Sequence, residues 1–172
     1  MKSQVEIRPM EEGDLPQVTC LDSLCFSDPW PENSFLYDLQ KNENARLWVA
    51  EVEENEEKKI VAMIVVWLMV DEVQIGTLAV HPDYRRCGIA ARLLSLALET
   101  AAKSGYYNAF LEVRQQNNSA QSLYRRFGFE VVGIRKRYYK DNGEDAIMMS
   151  RFGSGHLPEL LPKPEITERI CH

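Results

Sequence analysis

Chemistry in this chain is most legible at Arg85-Arg86-Cys87-Gly88-Ile89-Ala90-Ala91, where two cations and a glycine stand at the junction of an apolar strand and an amphipathic helix. The first turn of a helix leaves backbone N–H groups without intrahelical partners, at the positive end of the helix dipole. Gly88 and the small residues Ala90 and Ala91 let a ligand approach that backbone, and Arg85 and Arg86 add charge. The combination predicts an anion site, most naturally for phosphate. Two further residues carry proton-transfer chemistry. Glu112 lies in the otherwise apolar run Ala109-Phe110-Leu111-Glu112-Val113, and Tyr124 lies in Leu123-Tyr124-Arg125-Arg126-Phe127. Taken alone, a strand glutamate is by default solvent-facing or paired. A helical tyrosine is by default core, with its hydroxyl satisfied locally.

The elements that must position these residues follow from periodicity. Val73 to Val80 is rich in β-branched and apolar residues, and Pro82, which cannot donate to a sheet ladder, closes it. Leu93, Leu94, Ala97, Leu98 and Ala101 then recur on one helical face, with Gly105 as a helix-terminating residue. Ala109 to Arg114 is a further strand. Asn117 and Asn118 cap a helix in which Ala120, Leu123, Tyr124 and Phe127 share a face, ending at Gly128. Phe129 to Ile134 and Ala146 to Met149 form a last strand pair, with Asp141-Asn142-Gly143 a hairpin signal between them.

Towards the N-terminus, Val5 to Arg8 is a strand stopped by Pro9, and Asp14 with Gln17 resembles a capping box for a helix through Leu15, Val18, Leu21 and Cys25. A second short helix runs from Glu32 to Gln40. Leu47 to Val52 and Ile60 to Trp67 are strands, and the charge run Glu53 to Lys59 is a solvated turn between them. Trp30, held between Pro29 and Pro31, lies on a stiff loop, where it either plugs the edge of the core or lines a substrate cleft. The order β-α-α-β-β-β-α-β-α-β-β predicts an α/β domain over residues 1–152, with a mixed sheet and helices on its faces. Residues 153–172 lose periodicity and are expected to form a flexible tail.

Composition narrows the function classes. At 172 residues, with 45% hydrophobic and 27% charged residues, the chain suits one globular domain. A net charge of −6 argues against nucleic acid as a main partner. Cys20, Cys25, Cys87 and Cys171 show no metal-ligand spacing, and His81, His156 and His172 are scattered, so no metal is expected and the cysteines are expected to be reduced. No apolar run reaches membrane-spanning length and the N-terminus lacks a signal-like segment, which predicts a cytoplasmic protein without a membrane partner.

The stretch Arg85-Arg86-Cys87-Gly88-Ile89-Ala90 resembles the acetyl-CoA motif of the GNAT superfamily of N-acetyltransferases, Arg or Gln, two residues, Gly, one residue, then Gly or Ala. Its setting between strand and helix, followed by Asn117 and Leu123-Tyr124-Arg125-Arg126-Phe127-Gly128-Phe129, strengthens the likeness, which covers roughly residues 5 to 151. Cys25-Phe26-Ser27-Asp28-Pro29-Trp30, Leu111 to Asn117, Ile134 to Tyr139 and Glu144 to Met149 are similar to the RimI type within that superfamily, which acetylates the N-terminal alanine of protein eighteen of the ribosomal small subunit.

This resemblance implies a GNAT fold, a mostly antiparallel sheet of about six or seven strands flanked by four helices. It implies acetyl-CoA as co-substrate, with no metal, and a protein or peptide N-terminus as partner. A monomer or weak homo-oligomer is expected. By the same resemblance Leu78, Ala79 and Val80 offer strand-edge backbone to the pantetheine arm. Arg86, Cys87, Gly88, Ile89, Ala90 and Ala91 cradle the pyrophosphate, and Asn117 bonds the CoA arm. Glu112 is the implied general base, its pKa raised by an apolar setting, and Tyr124 the implied acid. Trp30, Tyr138 and Tyr139 are implied to hold the amine substrate. Two other functions stay open on these residues. One is acetylation of lysine side chains or a small amine, which the CoA features serve equally well. The other is a non-catalytic module that senses acyl-CoA.

Overall fold

A bulge at Gly76 decides how the central strand presents its side chains. The computed structural model describes residues 4–153. In it β4 (Glu72–Val80) pairs antiparallel with β3 (Glu57–Met69), and the register skips Gly76, so that Val65 faces Thr77 and Val66 faces Ile75. The extra residue reverses the period-two alternation. Before it, Val73 and Ile75 point into the same core as Leu93, Leu94 and Ala97. Beyond it, Ala79 points into the opposite core, and Leu78 and Val80 turn to the first.

The other strands are β1 (Glu6–Pro9), β2 (Ala45–Glu54), β5 (Asn108–Arg114), β6 (Glu130–Arg135) and β7 (Ala146–Arg151). They form one seven-stranded sheet in the order β1-β2-β3-β4-β5-β7-β6. Only the β4–β5 pair is parallel. The helices are α1 (Leu15–Cys25), α2 (Glu32–Gln40), α3 (Ile89–Lys103) and α4 (Asn118–Arg126). The apolar stripe of α3 packs with Tyr124 and Phe127 against one sheet face, and α1 and α2 cover the other through Leu15, Val18, Leu21 and Phe35. Sheet, helix count and element order are as expected from the sequence.

Several local expectations hold for the stated reasons. Gly105 takes φ 89°, and Tyr106 N–H returns to Ala101 O at 3.0 Å, closing α3 with a left-handed cap. Asn117 caps α4 by accepting from Ala120 N–H at 3.1 Å. Others need correction. Asp14 makes no side-chain cap to α1, because Arg8 grips both its oxygens at 2.8 and 2.9 Å and Glu11 N–H donates to it at 2.8 Å. Gln17 turns instead to β3, accepting from Ile60 N–H at 2.9 Å. The charge run is mostly strand. Pairing continues to Glu54 opposite Glu57, leaving Asn55 and Glu56, at φ 53° and 67°, as a two-residue hairpin turn. Cys20 and Cys25 are free thiols, whereas Cys87 is disulfide-bonded, so the expectation of reduced cysteines does not extend to it. Apart from Gly153, the expected tail lies outside the described residues, as do Cys171, His156 and His172. Among the described residues no helix is long and apolar enough to cross a membrane.

Candidate active site

Parallel pairing of β4 and β5 spans only Glu72–Gln74 against Asn108–Phe110, after which the strands part. Each loses its neighbour on one side, leaving two facing edges of unpaired backbone groups, a geometry that an extended ligand can complete. Past Val80, His81 N–H donates to Val61 O across β3 at 2.8 Å. Backbone direction alternates along a strand, so Leu78 and Val80 present their peptide groups to the open side while Ala79 directs its own to β3. Val80 O is already engaged there, by Arg85 Nε at 3.1 Å and Cys25 Sγ at 3.4 Å. Arg85 therefore anchors the strand end, and Arg86 is the cation left over the loop.

That loop is shaped to hold an anion. Arg86 and Gly88 are left-handed, at φ 63° and 75°, with Cys87 between them outside that region. Alternating handedness turns successive N–H groups to one side and makes a concave nest. Arg92 N–H makes the first helical bond, to Gly88 O at 3.1 Å, so Ile89, Ala90 and Ala91 keep unpaired N–H groups in the first turn of α3. A left-handed arginine is strained by roughly 1 kcal/mol or more. The donors and the neighbouring cation fit the diphosphate of a coenzyme A thioester, and the open strand edges fit its amide-bearing arm. Asn117 stands at the start of α4 with its Oδ1 spent on the cap, so its Nδ2 is the group it has to offer.

Glu112 is half-buried, and its setting is not apolar as the sequence suggested. Oε1 pairs with Arg135 Nε at 2.8 Å, reaching from β5 across β7 to β6. The Tyr138 hydroxyl is hydrogen-bonded to the Glu112 carboxylate and partly buried, which holds it above the ordinary phenol range. Burial pushes Tyr139 up to about 12, against the pull of the Arg114 guanidinium. Tyr124 is buried against Phe129, with ring centroids 5.7 Å apart. Burial first, and the neighbouring Tyr139 second, raise its pKa well above a free phenol, so it stays protonated through neutral pH. Glu112, Tyr124, Tyr138 and Tyr139 thus form one electrostatically linked group at the parted strands. Such a group pairs a carboxylate able to accept a proton with a phenol able to give one.

Trp30 plugs the edge of the core, one of the two roles its loop position allowed. It stacks on Trp67 at 5.5 Å and 7° between planes, leans on Phe35 at 5.3 Å, and packs against the α1/α2 core. With Trp67, Tyr37 and Pro31 it also lines a shallow depression of about 500 Å³. Its N–H donates to the buried carboxylate of Asp22 at 2.6 Å.

Two arginines near Glu112 gained no role from the sequence. Arg135 holds the carboxylate. Arg114, two residues along β5 and so on the same strand face as Glu112, ties together the loops that follow α1 and β6. The period-two spacing was the available signal for Arg114. Its partners at positions 27, 141 and 144 were not legible before folding.

A parted sheet edge and an anion nest at a helix N-terminus suit the binding of an acyl-CoA thioester. The acetyltransferase (GNAT) family matches residues 15–129, and the chain belongs to it. Over 146 residues the chain is 32% identical to the ribosomal protein bS18-alanine N-acetyltransferase of Escherichia coli, covering 84% of this chain and 95% of that one. A Bacillus subtilis relative is 34% identical over 149 residues, covering 87% of this chain and 96% of its own. The crystal structure of the Escherichia coli ribosomal-protein-S18-alanine N-acetyltransferase superposes with a TM-score of 0.77 at 30% identity, covering 91% of this chain and 97% of that one. Arabidopsis thaliana NAA60, 19% identical with a TM-score of 0.81 over 89% of this chain and all of its own, shares the fold.

Proposed function

We propose that this acetyltransferase moves the acetyl group of acetyl-CoA to the N-terminal α-amine of a protein, the N-terminal alanine of ribosomal protein bS18 being its substrate. The observation that carries the reading is the similarity to the Escherichia coli enzyme of that name, which covers 95% of that enzyme's length. A peptide α-amine has a pKa of about 8, so most of it is protonated at neutral pH and cannot attack. Glu112 accepts that proton. The amine nitrogen bonds to the thioester carbon, the carbon–sulfur bond breaks as Tyr124 gives its phenol proton to the departing sulfur, and the second proton shed by the nitrogen on becoming an amide returns Tyr124 to its phenol form. No covalent intermediate on the protein is needed, since both substrates are held together. Arg86, Gly88 and the N–H groups of residues 89–91 hold the diphosphate. Leu78 and Val80 meet the pantetheine arm, with the Asn117 amide beside it. Trp30, Tyr138 and Tyr139 flank the peptide.

The test is acetyl transfer to a hexapeptide bearing the bS18 N-terminal sequence, compared with an N-blocked copy that contains lysine. Acetylation of the free α-amine peptide is expected. Activity on the lysine copy alone excludes the α-amine assignment.

A further inference from the structure

Arg114 joins two loops that lie more than a hundred positions apart in the chain. Its Nη2 donates to Asp141 Oδ2 at 2.9 Å and to Ser27 Oγ at 3.3 Å, and Ser27 Oγ in turn hydrogen-bonds Asp141. Its Nη1 reaches Glu144 Oε1 and Asn142 Oδ1, each at 3.3 Å. The guanidinium also lies 3.9 Å above the centroid of the Tyr139 ring. One side chain on β5 thus bonds the α1–α2 loop, bonds the β6–β7 loop and sets the face of a tyrosine coupled to Glu112 and Tyr124. Ser27–Asp141 is the direct hydrogen bond between the two loops among the described residues, and Arg114 binds both of its ends.

These contacts are more than a solvated ion pair. The Arg114 side chain is 22% exposed, with Asp141 at 24% and Glu144 at 10%. Glu144 is fixed from a second side by Gln116 N–H at 3.0 Å, at the end of β5. A guanidinium can serve two carboxylates and stack on an aromatic ring at once because its donors are fixed in a plane. An ammonium keeps the charge and loses the fork and the stacking.

We propose that Arg114 is a specificity-determining positioning residue, which sets the spacing of the α1–α2 and β6–β7 loops, and the pose of Tyr139, for the incoming peptide amine. The inference rests on the α-amine reading above. Arg114 touches no reacting atom in this role. It acts through the side chains of Ser27, Asp141 and Tyr139, so its replacement weakens peptide capture while the Arg114 carbonyl that holds Asn117 N–H, beside the coenzyme arm, stays in place.

The experiment is steady-state kinetics of Arg114→Gln, Arg114→Lys and the double variant Ser27→Ala/Asp141→Asn, each varying acetyl-CoA and peptide separately, with thermal melts alongside. Losing charge-assisted contacts of this kind predicts a rise of about tenfold in KM for the α-amine peptide, with KM for acetyl-CoA within about twofold. Arg114→Lys is expected to recover part of the loss, and the double variant, which spares the strand, to shift KM in the same direction. Equal loss of peptide and acetyl-CoA affinity together with a lowered Tm marks a merely structural residue and overturns the proposal, as does an unchanged peptide KM. A wild-type protein that acetylates only the lysine peptide overturns the α-amine reading. A wild-type protein active on the α-amine peptide beside an unaffected Arg114→Gln overturns this inference alone.

Discussion

Glu112 and Arg135 are joined at 2.8 Å across an intervening strand, with the carboxylate 16% exposed and the guanidinium half exposed. The pair aims the carboxylate by holding one oxygen from the β6 side, while Tyr138 holds it from the loop that follows. A base used in proton transfer gains from such fixing, since misplacement of the order of an ångström can cost about a hundredfold in rate.

Replacing Arg135 by Ala should therefore lower kcat by about tenfold, with acetyl-CoA affinity unchanged, because the carboxylate loses its orientation and the coenzyme site loses nothing. Rapid-quench turnover with calorimetric coenzyme binding measures both. An unchanged kcat would show that the ion pair is incidental.

Arg86 is left-handed at φ 63° in a loop whose N–H groups converge. Glycine pays little for that conformation, so Arg86→Gly should raise stability by about 1 kcal/mol and, by removing a cation, weaken acetyl-CoA binding. Opposite signs in a thermal melt and a binding isotherm are the expected result. A stability loss would refute stored strain at this turn.

Arg8 holds two buried carboxylates, Asp14 at 2.8 Å and Glu51 at 2.8 Å, and Lys58 adds a third contact to Glu51 at 2.7 Å. Hydrogen bonds from Arg8 lead in keeping both acids below their ordinary values. Depressed folded pKa values give stability that is present above the unfolded values of 3.8 and 4.5 and is lost as pH falls through the folded ones. Arg8→Ala should cost about 3 kcal/mol near neutral pH, with the gap to wild type narrowing in acid, as read by urea titrations across pH.

Asp22 carries the opposite sign. Burial raises its pKa above 3.8, against the hydrogen bond from Trp30 N–H, and its Oδ1 has no partner among the described residues. The folded state binds this proton more tightly, so the contribution is fully present below 3.8 and declines as pH rises through the raised value. Asp22→Asn keeps an acceptor for Trp30 and removes that decline. Wild-type Tm minus Asp22→Asn Tm should therefore fall as pH goes from about 4 to about 7. A pH-independent difference would contradict the assignment.

Gly76 explains why the aromatic stack sits where it does. A Cβ at this bulge would meet the Trp67 ring at 2.7 Å and the Trp30 ring at 3.1 Å, and Trp67 is anchored by its Nε1 donating to Asp38 at 2.9 Å. Gly76→Ala should cost about 1–3 kcal/mol and shift tryptophan fluorescence. An unperturbed spectrum would mean that the stack yields freely.

How much of this was legible in the sequence depends on the range of the interaction. Helices α3 and α4 were clear because stripe, cap and terminating glycine all lie within a few residues of one another, as at Asn117, Leu123 and Gly128. The ends of β2 and β3 were not. Glu53, Glu54, Glu57 and Lys58 are exposed yet sit in a paired ladder, and hydropathy alone cannot separate a solvated ladder from a solvated turn. Asp14 and Gln17 matched a local capping pattern, yet Arg8 and β3 captured them once folded. The CoA loop could be inferred from residue types, whereas the roles of Glu112 and Tyr124 came from resemblance. Arg135 and Arg114 became meaningful only when β6 and two distant loops closed around β5.

The assignment of the proton transfers to Glu112 and Tyr124 is the step on which the proposed reaction turns. It is tested most directly by single-turnover acetyl transfer to the α-amine peptide by Glu112→Gln and Tyr124→Phe, with acetyl-CoA affinity measured on the same preparations. A fall of about a hundredfold or more is expected for each variant, with coenzyme affinity within about twofold of wild type. Turnover within about threefold of wild type in either variant would contradict it.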